Sequence, residues 1–166
     1  MGGGYLLGMR WLMVWLCWGL VLGSVAEAAE GRVLKVLPQF LDKKGQHALT
    51  PSLYDRDAYQ AYLRRNPTKR SGLRFAVQWK ARVPETEPLK LRVEMRGAAQ
   101  ATLPKESVLE LPVRQHHWFS HWAYLILSED DYKKLGEVTA WRVTLWDGDK
   151  MLDEQKSFLW QSSPAK

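Results

Sequence analysis

The chain has 166 residues, a net charge of +6, 25% charged and 46% hydrophobic residues, nine tryptophans and one cysteine. That length accommodates one domain with its own apolar core and not two comfortable ones. A single cysteine excludes an internal disulfide framework.

A short head carrying Arg10 leads into the apolar run Trp11 to Val25, followed by Ala26, Glu27, Ala28 and Ala29. A basic head, an apolar centre and a small-residue end form the pattern of a secretory signal peptide. Residues 1–28 are therefore expected to be removed, leaving residues 29–166 as a single secreted or periplasmic domain; a cut after Ala26 satisfies the same pattern. The run is shorter than the ~20 apolar residues of a spanning helix and is interrupted by Gly19 and Gly23. No stable transmembrane insertion is expected after cleavage. Cys17 lies inside this leader behind Trp15 and Leu16, where a lipid-anchor cysteine would need small residues. The exported remainder is then free of thiols and depends on packing. Trp79, Trp118, Trp122, Trp141, Trp146 and Trp160 suit that task, each offering about 150–250 Å² of burial.

In chain order, Val33 to Leu37 reads as an opening strand that stops at Pro38, and the polar stretch Asp42 to Gln46, with Gly45, reads as a turn. Thr50 before Pro51 predicts the entry of a helix. Between there and Asn66-Pro67, Tyr54, Ala58, Tyr59, Tyr62 and Leu63 fall on one side at helical spacing. Asp55 and Asp57 early and Arg64 and Arg65 late match the partial charges of the helix ends.

The period then changes from about four to two. Leu73, Phe75, Val77, Trp79, Ala81 and Val83 alternate with Arg74, Gln78, Lys80 and Arg82; Leu89, Leu91, Val93 and Met95 alternate with Lys90, Arg92, Glu94 and Arg96. Each run predicts a strand with one dry face, and the short loop Pro84 to Pro88 predicts that the two pair as an antiparallel hairpin. Val108 to Val113 is a weaker strand whose Pro112 points to an edge. Trp118 to Leu127 is apolar on both faces and is expected to be central or covered. Ser128 is placed to cap a helical turn with Asp131 answering it, and Gly136 to end it. Trp141 to Trp146, Asp147-Gly148 and the return from Leu152 to Trp160 predict a closing hairpin.

The order of elements predicts an all-β fold: a two-layer antiparallel β-sandwich of about seven strands, with a short helix between the first and second strands. The spacing of strands over Leu73 to Trp160, and above all LGEVTAWRVTLWDGDKMLDEQKSFLW (135–160), resembles immunoglobulin-like and fibronectin type III-like domains, although the immunoglobulin cysteine pair is absent. The resemblance implies a scaffold for adhesion, ligand binding or assembly.

Chemistry is sparser. RQHHWFSHW (114–122) holds His116, His117 and His121, and imidazoles are ligands for zinc and copper. His117 and His121 share a face in either a strand or a helix. A zinc-protease pattern fails because position 118 is Trp where the catalytic Glu would stand. Further ligands would have to come from His47, Asp130 or Asp131. No serine lies in a Gly-x-Ser-x-Gly elbow, and Asp147, Gly148 and Asp149 lack the later carboxylate of a calcium loop, Phe158 standing at its twelfth position. The carboxylate pairs Asp55/Asp57 and Asp130/Asp131 have simpler roles as caps and turns. No cofactor motif is present. The basic outward residues lack interleaved aromatics, which argues against nucleic acid. The expected function is a non-enzymatic module binding a protein or an anionic envelope component. Its candidate partner-binding residues are Arg114, His116 and Trp118 at a strand entrance, Tyr54, Tyr59 and Tyr62 on the helix, and Arg92 and Arg96 on a basic sheet face. The alternative is a metal-binding protein or small hydrolase built on His116, His117 and His121.

Overall fold

The alternating runs become strands of two antiparallel sheets in a computed structural model, which describes residues 30–83, 88–99, 105–114 and 119–160. The leader with Cys17, the loop residues 84–87 and the segment holding His116, His117 and Trp118 lie outside the described residues. The strands are β1 (Glu30–Asp42), β2 (Arg70–Arg82), β3 (Leu89–Gly97), β4 (Lys105–Val113), β5 (His121–Leu127), β6 (Val138–Asp147) and β7 (Lys150–Lys156). Helix α1 (Leu53–Arg65), followed by a 3-10 turn at Pro67–Lys69, separates β1 from β2, and helix α2 (Glu129–Leu135) separates β5 from β6. Sheet A has the order β1-β2-β5 and sheet B the order β4-β3-β6-β7, with every neighbouring pair antiparallel.

The dry faces of the two sheets meet in one core. Phe75, Val77 and Trp79 of β2 and Ala123, Leu125 and Leu127 of β5 face Leu91, Val93 and Met95 of β3 and Val143 and Leu145 of β6. Phe75 meets Trp141 edge-on, with ring centroids 6.2 Å apart. In β3 the alternation is complete: every odd-numbered residue from Leu89 to Gly97 is buried and every even one is half-exposed.

Four expectations need correction. First, β2 and β3 do not pair. They belong to different sheets, so the chain arches from one layer to the other after Val83. Two half-buried strands have the same period whether they are neighbours or face each other across a core, and the short loop suits both. Second, β1 continues through Pro38, which stands opposite Phe75. The strand lies at a sheet edge, where a missing N–H costs no ladder bond. Third, α1 is capped two residues after Thr50: the Ser52 hydroxyl accepts from the Asp55 N–H, and Thr50 Oγ1 donates to Asp55 Oδ2 instead. Fourth, β5 is an edge strand rather than a covered one. Trp122, Tyr124 and Ile126 remain 42%, 51% and 56% exposed.

Other local expectations hold. Ser128 Oγ accepts from the Asp131 N–H and donates to the Asp131 carboxylate, Gly136 ends α2 with φ 77°, and Gly148 turns the last hairpin with φ 54°. β4 is the edge that Pro112 announced. β7 ends at Lys156, and Trp160 folds back so that the guanidinium of Arg96 lies 4.2 Å from its ring centroid.

Candidate functional site

Residues that stand opposite one another in an antiparallel sheet share a face, so the register fixes the outer surface of sheet A. Its rows are Lys35–Gln78–Trp122, Leu37–Ala76–Tyr124 and Gln39–Arg74–Ile126, with Arg32 beside Lys80 next in line. The aromatic and aliphatic side chains form one row along β5, and the cations lie on β1 and β2 beside it. Arg74 joins the two: it donates to Gln39 Oε1 at 2.6 Å and lies 4.7 Å from the Tyr124 ring centroid. Gln78 Nε2 donates to Ser120 Oγ at 3.0 Å. Arg32, Lys35 and Lys80 are exposed. Between the Arg32–Lys80 and Gln39–Arg74 pairs this face carries no carboxylate; Glu30 lies beyond, opposite Arg82.

The outer surface of sheet B is of another kind. Glu110 pairs with Lys90 at 3.2 Å and Arg92 at 3.6 Å, Glu94 with Arg142 at 2.5 Å and Arg92 at 3.3 Å, and Glu106 with Arg96 at 3.0 Å. Glu154 extends the ladder to Lys156 and Arg142. Arg92 and Arg96 therefore lie in a surface of alternating sign. The continuous basic face expected from β2 and β3 is divided, because the two strands belong to opposite layers.

The tyrosines of α1 also part company. Tyr54 is 83% exposed, while Tyr59 turns inward and donates its hydroxyl to Asp42 Oδ2 at 2.7 Å. Tyr62 stacks on Tyr59 with centroids 6.0 Å apart. Burial pushes the Asp42 carboxyl up, but the hydroxyl of Tyr59 and the N–H groups of Gln46 and Lys44 outweigh it and hold the group below its ordinary range. The same bond pushes Tyr59 up to about 12, aided by burial. These groups anchor α1 to the end of β1. Arg114 is exposed just beyond β4.

The histidine expectation reaches only His121 among the described residues. It opens β5 half-buried, 6.1 Å from the Trp79 ring centroid. Asp130 and Asp131 follow the other end of β5, about 20 Å away at strand rise. His47 sits by Arg74 and Arg56; burial and those two cations push it down. His121 thus stands at the opposite end of the sheet from His47, Asp130 and Asp131, and no group of three metal-ligating side chains occurs among the described residues. Both carboxylates beside Asp130 are engaged: Asp131 by Ser128 Oγ, and Glu129, held at about 2, by hydrogen bonds from Lys43 and Lys133.

Trp122, Tyr124 and Ile126 are the residues sequence reasoning passed over as surface. Their signal was visible: a row of aromatic and aliphatic side chains alternating with Ala123, Leu125 and Leu127. An edge position for β5 was not. The chain matches no protein-family model, no curated protein and no solved structure, so its function is read from the chemistry of its own surfaces.

Proposed function

We propose that the chain is an exported, non-enzymatic β-sandwich module, of immunoglobulin-like or fibronectin type III-like type, that binds a protein or envelope component on the outer face of sheet A. The sheet arrangement supports the fold reading: three antiparallel strands (β1-β2-β5) face four (β4-β3-β6-β7), the seven-stranded two-layer architecture that such domains share. The function rests on one observation, the exposed row Trp122, Tyr124 and Ile126 beside the cations Arg32, Lys35 and Lys80. Exposed apolar rows rimmed by charge mark interaction surfaces, and aromatic side chains supply much of the energy of such contacts. The absence of a carboxylate among these rows selects an acidic partner. No described helix is long and apolar enough to cross a membrane.

Photo-crosslinking tests this reading in cells producing the full-length chain. A photoreactive residue at position 80 or 122 is expected to give an adduct in the exported fraction, whereas one at position 92 or 154 on sheet B gives none. Equal yields from the two faces, or none from positions 80 and 122, would overturn it.

A further inference from the structure

We infer that β5 receives an extended, acidic polypeptide segment of a partner as a fourth strand of sheet A. This rests on the reading of the outer face of sheet A as the docking side and specifies the form of its occupant.

The orientation of the β5 backbone follows from the other edge of the sheet. Val33 donates its N–H to Asp153 Oδ2, and Phe40 donates its N–H to Gln60 Oε1 and accepts from Gln60 Nε2, all at 2.8–2.9 Å. Pro38, in phase with both, has no N–H to give. These residues stand opposite Trp79, Leu73 and Phe75. In an antiparallel ladder, residues alternate between those that bond to the neighbour and those that turn away from it. Val33, Pro38 and Phe40 turn away from β2, so Leu73, Phe75, Val77 and Trp79 direct their N–H and C=O groups to β5. There they meet Leu127, Leu125, Ala123 and His121. The remaining β5 residues, Trp122, Tyr124 and Ile126, direct their backbone groups to the outer edge. The three exposed side chains therefore belong to the three residues whose main chains can accept a strand.

Edges invite pairing, and proteins guard them with proline, charge, bulges or covering groups. β1 has Pro38, a bulge between Val33 and Lys35, and the Gln60 and Asp153 side chains. β4 has Pro112, Lys105, Glu106 and Glu110, and β7 has a bulge opposite Leu145/Trp146 together with Lys150, Asp153, Glu154 and Lys156. β5, His121–Leu127, contains no proline, Asp, Glu, Lys or Arg, and its register with β2 is unbroken. Among the described residues it pairs on one side only. An added strand would use the main chain for affinity and alternate side chains for specificity. Its outward side chains would lie beside Trp122, Tyr124 and Ile126, within reach of Arg74 and Lys80 one strand further in. Those cations, and rows that carry no carboxylate among the described residues from Arg32–Lys80 to Gln39–Arg74–Ile126, commit the occupant to acidic outward side chains, and the same cations oppose a second copy of the chain.

The test titrates the protein purified from cells producing the full-length chain with a short synthetic peptide of alternating glutamate and valine. Amide hydrogen exchange at Trp122, Tyr124 and Ile126 is expected to slow about tenfold or more on binding, while Ala123 and Leu125, already bonded to β2, change little. Peptides N-methylated on one alternate set of amides should lose about tenfold or more in affinity, and those methylated on the other set less than about threefold. Tyr124→Pro removes an edge N–H that the native ladder does not use. It should abolish binding where Tyr124→Ala retains most of it; if Tyr124→Pro does not fold, the methylated peptides decide alone. No slowing at those amides, equal effects of the two methylation patterns, or equal binding of a lysine-for-glutamate peptide would overturn the inference. So would a dimer of the free protein in sedimentation that Tyr124→Pro dissolves, since the occupant would then be a second copy. Cross-links at position 122 without amide protection would sink the strand and leave the broader proposal standing.

Discussion

Among the described residues Arg70 is the most heavily engaged side chain, and its partners come from three elements and the turn that precedes β6. Its guanidinium donates to the carbonyls of Leu63 and Arg64 at the end of α1 and to the Tyr132 hydroxyl on α2, and it lies 4.0 Å from the Phe40 ring centroid on β1. Glu137 completes the set at 3.6 Å. A planar fork satisfies several acceptors at once, and an ammonium at the same place cannot. Arg70→Lys is therefore expected to lower stability by about 2–4 kcal/mol, read from urea midpoints, and a loss below about 0.5 kcal/mol would refute this role. The Asp42–Tyr59 pair makes a pH prediction. Asp42 titrates below its ordinary 3.8 in the folded chain, so its contribution is whole above that value and disappears as pH falls through the folded one. Tyr59 is displaced the other way, from 10.0 to about 12, so its contribution is whole below pH 10.0 and is lost as pH rises towards the folded value. Tyr59→Phe should cost about 1–2 kcal/mol at neutral pH and flatten the alkaline limb of stability against pH. An unchanged alkaline limb would show that Tyr59 is not the titrating group. Neither cluster was legible in the sequence, because hydrophobic periodicity assigns every charged side chain to the outside and is silent on buried polar partners.

At the scale of the element, α1 shows what periodicity resolves and what it misses. Its existence, its place between β1 and β2 and its end charges follow from the sequence, yet the buried side differs from the expected stripe: Leu63 is buried, Tyr59 and Gln60 are half-buried, and Tyr54 points to solvent. The reason is where the helix docks. It covers the edge of β1 rather than a sheet face, so its key contact is polar: Gln60 bonds both backbone groups of Phe40 and also the His47 carbonyl at 2.8 Å. Gln60→Glu keeps the size but can only accept, leaving two carbonyls without their donor. It should cost about 1–3 kcal/mol, close to the cost of Gln60→Ala; if thermal melts show Gln60→Glu matching the parent, the edge cap is not structural. The end of α2 was fully legible, since Gly136 stands where positive φ is needed. A Cβ there would also come within 2.6 Å of the Ala99 backbone N. Gly136→Ala is therefore expected to destabilise by about 1–3 kcal/mol, measured by the same melts.

For the whole molecule, the alternation in Leu73 to Val83 and Leu89 to Met95 revealed two amphipathic strands but not that they face each other across the core. That choice decides the surface chemistry. Had they paired, Arg74, Lys80, Arg92 and Arg96 would share one basic face; in opposite layers they give one face where cations border an apolar row and another where cations alternate with carboxylates. The two faces should therefore respond differently to charge reversal. Lys35 and Lys80 are exposed and take no ion pair among the described residues, so Lys35→Glu with Lys80→Glu should leave stability within about 0.5 kcal/mol. Binding of an acidic peptide should fall about tenfold, and much of its salt dependence should go with it, because those charges carry the attraction that salt screens over about 10 Å at 0.1 M. Arg92→Glu acts in the reverse sense: it places a carboxylate between Glu94 and Glu110 and should cost about 0.5–1 kcal/mol, modest because the ladder is part-exposed, while peptide affinity changes less than about threefold. Titration calorimetry at two salt concentrations and urea melts of both variants decide the matter. Parallel losses of affinity in the two would mean that net charge, rather than the outer face of sheet A, attracts the ligand.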